Sequence, residues 1–255
     1  MIDLSDNQLT RYSRHILLDD IGIAAQNKIC ASTVLVVGAG GLGSPAALYL
    51  ASAGVGHIIL ADGDTVDLTN LQRQILHTTE RIGHAKVTSG EMALLAINPT
   101  IKVTTINTKL EEETLQQWVS RAQVVLDCTD NFTTRHAINR ACVKFKKPLV
   151  SGSAIRFDGQ LTVFDLRSSD SPCYGCLFPQ AQAPEELRCA EMGVFAPLTG
   201  IIGTMQAAEA LKIMGEFGEP AVGRLMMLDA RAMRWGEMRF KRSPACHVCS
   251  SDALL

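Results

Sequence analysis

The feature that most constrains the fold is the run from residue 32 to residue 62, STVLVVGAGGLGSPAALYLASAGVGHIILAD. A short β-branched strand, a glycine turn, a helix of small residues and a second buried strand follow in order, which makes a βαβ unit with parallel strands. Gly38, Gly40 and Gly43 satisfy G-x-G-x-x-G between strand and helix. Glycine lets the backbone turn tightly and approach a phosphate, while the helix N-terminus supplies N–H groups and partial positive charge. Asp62 follows at about 20 residues, the spacing of a ribose-binding carboxylate.

Further strands are expected at IKVTTI (101–106), AQVVLDC (122–128) and KPLVSG (147–152), separated by helical patterns. Alternating strand and helix gives a mostly parallel sheet. After about Gly152 the texture changes. GQLTVFDL (159–166), GRLMMLD (223–229) and residues 235–240 read as strands without helices between them, an antiparallel extension. The fold class is therefore α/β, a Rossmann-like sheet with an antiparallel C-terminal part. Residues 1–255 are read as one domain, in which a nucleotide-binding part (5–152) and an extension (153–255) share a core. Ser5 and Gln8 resemble a capping box for a helix running to about Leu18, with Arg11 and Arg14 on one face.

Composition narrows the partners. The 255 residues carry a net charge of −2, with 47% hydrophobic and 20% charged residues. That balance supports a full core and lacks the basic footprint of a nucleic-acid binder. MIDLSDNQLTRYSRH is not a secretory signal, and the two most apolar windows (46–61 and 194–215) are broken by Gly54 and Gly56 or by Gln206, Glu209 and Lys212. The expectation is a cytoplasmic protein with no membrane span. Its eight cysteines then read as thiols for metal binding or catalysis.

The glycine turn alone does not separate NAD from ATP. Hydride transfer needs no cations around the phosphates beyond the turn, whereas attack on a phosphate of ATP needs its charge neutralised. The loop after Asp62, GDTVDLTNLQRQ, carries Asn70 and Arg73, and Lys86 follows in the same connection. Beside the fingerprint they favour nucleoside-triphosphate chemistry. At the end of the fourth strand, LDCTDN presents Asp127 and Asp130, where a carboxylate could hold Mg²⁺ with phosphate oxygens. Asp130 could instead cap the helix that begins near Asn131.

CYGC and CHVC place Cys173, Cys176, Cys246 and Cys249 in two C-x-x-C pairs, which suit a tetrahedral structural zinc site better than a redox dithiol. His247 could in principle replace one of the four. Cys30, Cys128 and Cys142 sit in apolar contexts, as buried small hydrophobes do. Cys189 follows the polar stretch PQAQAPEELR, where the adjacent Arg188 would favour a thiolate. Residues 197–215 read as a buried helix whose small residues could also serve a dimer interface.

RYSRH, GAGGLGS, DxDxVxxxNLQRQ, GxxK, LDCTDN and the paired cysteines together resemble the MoeB/ThiF/HesA family, adenylyltransferases related to ubiquitin-activating enzymes. The resemblance runs from about residue 5 to residue 250. It implies ATP held by the glycine turn including Gly41, ribose by Asp62, phosphates by Asn70, Arg73 and Lys86, and Mg²⁺ by Asp130 with Asn131 beside it. It also implies that Arg14 reaches the partner subunit's site in a homodimer, that zinc fills the four-cysteine site, and that Cys189 matches a cysteine of sulfur transfer in the thiamine branch. The implied reaction is adenylation of a ubiquitin-like sulfur-carrier protein at its C-terminal Gly-Gly. VSGSAIRFDGQLTVF and GVFAPLTG look like the molybdopterin-synthase branch with its MoaD-like carrier, while RYSRHILLDDI and RQILHTTE look like the thiamine branch with its ThiS-like carrier. The chain ends soon after Cys249 without a rhodanese domain, so sulfur is expected from a separate donor of cysteine-desulfurase or rhodanese type. From other classes, an NAD-dependent oxidoreductase would share the turn and Asp62 but leave Asn70, Arg73 and Lys86 without a task. A non-catalytic scaffold would not need the nucleotide residues.

Overall fold

The computed structural model describes residues 4–180 and 192–250. Its centre is one eight-stranded sheet, β1 (Thr33–Val37), β2 (His57–Ala61), β3 (Lys102–Ile106), β4 (Val124–Asp127), β5 (Leu149–Ile155), β6 (Asp158–Phe164), β7 (Arg224–Asp229) and β8 (Arg234–Arg239). Their spatial order is β3-β2-β1-β4-β5-β6-β7-β8. Pairing is parallel from β3 through β5 and antiparallel from β6 onward. The chain thus winds outward from β1 to β3, returns to lay β4 on the other side of β1, and ends in the expected meander.

The reversal at β1 and β4 is where an open α/β sheet leaves a crevice at its carboxyl edge. Val37 is in register with both Ala61 and Asp127, and Asp127 with Ser151. Gly38, Asp62 and Cys128 therefore emerge side by side.

Both faces of the parallel part are covered. Val34 and Val36 point to one face, Leu35 and Val37 to the other, as strand alternation requires. The first face packs against α4 (Gly43–Ser52), α5 (Lys86–Ile97) and α9 (Ala196–Gly215), with Leu50, Leu94 and Ile202 buried among them. The second packs against α6 (Glu112–Arg121) and α7 (Phe132–Phe145) through Leu115, Val119 and Ile138. Leu60 from the early strands and Leu228 from β7 lie in the same apolar cluster, so the antiparallel extension continues the first core.

The N-terminal helix differs from expectation. The capping box is present, Gln8 N donating to Ser5 Oγ and Ser5 N to Gln8 Oε1, but the helix divides into α1 (Asp6–Arg11) and α2 (Ser13–Ile16) at Tyr12. Tyr12 is buried against Gly54, and its hydroxyl accepts a hydrogen bond from Asn98. Seating that ring takes Tyr12 to ψ 10°, out of helical geometry. α3 (Gly22–Ala31) follows, and a single turn, α8 (Tyr174–Leu177), lies between β6 and α9.

α9 is a buried helix as expected, and its small residues serve packing within the chain. A Cβ on Gly203 would fall 2.2 Å from the Leu42 carbonyl oxygen and 2.6 Å from Pro45 Cγ. Gln206, fully buried on the same helix, donates to the carbonyls of Asp127 (2.7 Å) and Val150 (3.2 Å). Gly203→Val should destabilise the protein by about 2 kcal/mol or more, because the backbone it strikes cannot yield as a side chain would. Urea denaturation measures this, and a loss under about 0.5 kcal/mol would show that the α4–α9 crossing is not tight.

Candidate nucleotide site

The glycine turn is shaped by contacts that leave no space for side chains. Gly38 has φ +100°, and a Cβ there would lie 2.7 Å from the Cys128 carbonyl oxygen; one on Gly43 would lie 1.8 Å from the Gly38 carbonyl oxygen. The first turn of α4 is thereby pressed onto the end of β1. Gly41 faces Thr199 of α9, and Gly40 faces the amide of Gln74. Gln74 is buried, and its Oε1 lacks a hydrogen-bond partner.

Asp62 is tied to the same turn. Its Oδ2 accepts from Ala39 N at 2.8 Å and its Oδ1 from Asp64 N at 2.9 Å. Each carboxylate oxygen keeps a further lone pair for another donor. The segment after it folds back, with Lys86 N donating to the Asp64 carbonyl and Val66 N to the His84 carbonyl. That sets Lys86, 6% exposed, at the start of α5 with Nζ 2.9 Å from Asp64 Oδ2. An ammonium has three N–H bonds, so this pair leaves two for a ligand. Asp64 is a functional candidate that the sequence reading left without a role. Its letter stands in the motif, but its partner is 22 residues away.

The loop that follows contributes two kinds of residue. Asn70 closes a short 3₁₀ turn (Leu68–Asn70), its Oδ1 accepting from Asp67 N at 3.2 Å. Arg73 is half-buried and donates to the Thr69 carbonyl at 3.1 Å. His77 lies buried under the glycine turn with Nε2 2.9 Å from the Ala39 carbonyl, a contact the sequence did not reveal.

Beyond β4 the two aspartates separate into different roles. Asp127 is buried and accepts from Thr129 N (3.0 Å), Thr129 Oγ1 (2.7 Å) and Ser151 Oγ (2.9 Å), with Arg135 Nε at 3.9 Å. At 1% exposure it is enclosed in the fold and not open to Mg²⁺. Asp130 is exposed, and the N-cap of α7 is Asn131, whose Oδ1 accepts from Thr134 N at 2.8 Å. The capping alternative for Asp130 is overturned, which leaves its carboxylate at the mouth of the crevice.

Arg14 is not near this site in its own chain. It is exposed on α2, and its neighbour Tyr12 packs on Gly54 just past the C-terminal end of α4, while the glycine turn precedes the N-terminal end. Ten residues of helix separate the two, about 15 Å. Cys189 lies outside the described residues.

The four cysteines do assemble. The Sγ atoms of Cys173, Cys176, Cys246 and Cys249 all lie within 4.8 Å of one another, and the nearest pairs are 3.4 to 3.9 Å apart. A tetrahedron of thiolates at the usual Zn–S length has edges of about 3.8 Å, so the set fits zinc. Asn139 Nδ2 (3.5 Å, to Cys173) and Ser243 N (3.4 Å, to Cys176) donate to the sulfurs. His247 is exposed and takes no part in the cluster. Cys128 and Cys142 are buried, and burial pushes both thiols up; Cys30 is only half-buried, its Sγ near the Gln26 amide. β8, which carries Arg234 and Arg239, is a solvated strand, all of its residues being exposed. Among the described residues no helix is long and apolar enough to cross a membrane.

Comparison with known proteins matches residues 12–248 to the ThiF family. The chain is 47% identical to the Escherichia coli (strain K12) sulfur carrier protein ThiS adenylyltransferase, covering 98% of both chains. It is 46% identical to the molybdopterin-synthase adenylyltransferase of the same organism, covering 98% of this chain and 99% of that one. Among solved structures, E. coli MccB with ATP superimposes with a TM-score of 0.82 at 25% identity, over 94% of this chain and 73% of that one.

The two aspartates after β4 give a direct check. Asp127→Ala strands the Arg135 guanidinium, 11% exposed, without its counter-charge, and should cost about 3 kcal/mol in urea denaturation. Asp130→Ala should change stability by less than about 0.5 kcal/mol. Equal costs would contradict the division of roles.

Proposed function

The chain belongs to the ThiF family, and from that premise we propose that it is an ATP-dependent adenylyltransferase acting on a ubiquitin-like sulfur-carrier protein. The observation that carries the reading is the joining of Asp62, the glycine turn and the Lys86 connection at the sheet's switch point. The carboxylate grips the turn by its Ala39 N–H, so ribose and phosphates are held on one rigid element.

In this reading the nucleotide sits over Gly38, Gly40, Gly41 and Gly43 with its ribose on Asp62. Asn70, Arg73 and Lys86 take the phosphates, and Asp130 with Asn131 stands where Mg²⁺ accompanies them. When bound, Mg²⁺ neutralises charge on the phosphate oxygens. An oxygen of the carrier's C-terminal glycine carboxylate attacks the α-phosphorus, the bond to the bridging oxygen of the β-phosphate breaks, and pyrophosphate leaves an acyl adenylate behind. A carboxylate is already a competent nucleophile, so the protein supplies alignment and charge neutralisation. The NAD-dependent alternative is not favoured, since it gives the Lys86 connection no work.

The carrier we propose is the MoaD-like small subunit of molybdopterin synthase, on the strength of the segments 150–164 and 193–200, since the relatives of the two branches stand at 46% and 47% identity and do not separate them. A homodimer is supported by exposed Leu17, Leu18, Ile23 and Tyr49, and by Arg14 lying far from its own glycine turn, where it serves the partner's site. Cys189 is proposed to take part in sulfur transfer to the carrier.

Arg73→Ala or Asp130→Ala should lower carrier-dependent ATP–pyrophosphate exchange by about 10² or more with the fold intact. Near-normal exchange, tested with both a MoaD-like and a ThiS-like carrier, would refute the assignment. Elemental analysis should find one zinc per chain, held by Cys173, Cys176, Cys246 and Cys249. Purified protein without zinc, or zinc unaffected by Cys173→Ser, would contradict the metal site.

A further inference from the structure

A directed hydrogen-bond chain runs beneath the glycine turn. Arg81 Nη1 lies 3.2 Å from Ser89 Oγ, Ser89 Oγ 2.9 Å from His77 Nδ1, and His77 Nε2 2.9 Å from the Ala39 carbonyl oxygen. A guanidinium only donates and a carbonyl only accepts, so Nε2 carries a proton; in the neutral ring Nδ1 is then bare and can only accept. Arg81 donates to the Ser89 hydroxyl, the hydroxyl donates to Nδ1, and Nε2–H donates to Ala39. Protonating His77 would set a second donor against Ser89 beside Arg81. Burial first, then the Lys86 and Arg81 charges, hold the imidazole below its ordinary range against the opposing Ala39 carbonyl and Asp62.

The Ala39 carbonyl belongs to the peptide that joins Ala39 to Gly40. In a trans peptide the C=O and the N–H point in opposite directions, and the described residues contain no cis bond. With its carbonyl drawn down to His77, this peptide must turn the Gly40 N–H the other way, out of the fold. Among the described residues neither the Gly40 N–H nor the Gly41 N–H has a partner. The preceding peptide, which bears the Ala39 N–H, is fixed separately by Asp62. Nothing else among the described residues hydrogen-bonds the Ala39 carbonyl, and a peptide followed by glycine rotates easily when released.

We propose that His77 is a positioning residue that holds the Ala39–Gly40 peptide with its N–H facing the nucleotide phosphates. The proposal rests on the nucleotide-binding reading and names a residue that touches no substrate atom itself. It separates two functions of the turn, since losing His77 should harm phosphate binding and spare the ribose contact made through Asp62.

The test is titration of ATP and of adenosine into the full-length protein and two variants. His77→Phe keeps a ring without the donor. It should weaken ATP about tenfold and adenosine less than about twofold, the loss of one charge-assisted hydrogen bond. His77→Gln restores an N–H near the place of Nε2 and should return ATP affinity to within about threefold of the original. Unchanged ATP affinity in His77→Phe, or equal losses for both ligands, would overturn the proposal. Nitrogen-15 NMR of the His77 ring in the unaltered protein should show a protonated Nε2 and a bare Nδ1; the reverse tautomer overturns it even where His77→Phe fails to fold. If the unaltered protein binds adenosine and ATP equally weakly, the nucleotide reading itself fails, a result distinct from any effect of the variants.

Discussion

The structure depends on the close approach of α4 to the end of β1. Gly38 and Gly43 meet so tightly that a methyl group on either would overlap backbone of the turn or of Cys128, just past β4. This contact brings the helix N-terminus to the sheet edge, and it happens where the chain reverses direction across the sheet. A concave edge, free N–H groups and a helix dipole are thereby placed together before any charged side chain is added.

The surrounding residues stiffen that arrangement from several sides. Asp62 closes on the Ala39 N–H from the end of β2, and Gln206 of α9 ties the end of β4 to the start of β5. Asp127 and Arg135 form a buried network that anchors Thr129 and the start of α7. Asn139, further along α7, reaches the cysteine cluster at Cys173. One helix therefore spans from the mouth of the crevice to the four-cysteine cluster.

The parallel-then-antiparallel sheet was legible in the sequence because buried strands announce themselves by β-branched runs, and each expected strand appears within a few residues of its place. The glycine turn, Asp62 and the cysteine pairs were legible because their chemistry fixes residue type and spacing. Contacts between distant residues were not. Asp64 and Lys86 are joined by a fold-back of the chain, and His77 looks like any loop histidine until Ala39 is seen above it. The division between Asp127 and Asp130 was equally hidden, since both lie at the end of one strand and only packing shows which is enclosed. The single N-terminal helix failed for a similar reason: nothing local foretells that the Tyr12 ring must fit against Gly54.

The carboxyl edge of this sheet, read as a triphosphate site, must tell ATP from NAD. Calorimetric titration of the purified protein with MgATP and with NAD compares the two ligands that share the fingerprint. Saturable binding of MgATP, with NAD at least about a hundredfold weaker, is the predicted result, since charge-assisted contacts to the additional phosphate oxygens belong to ATP alone. NAD binding as tightly as MgATP, or MgATP failing to bind, would contradict it.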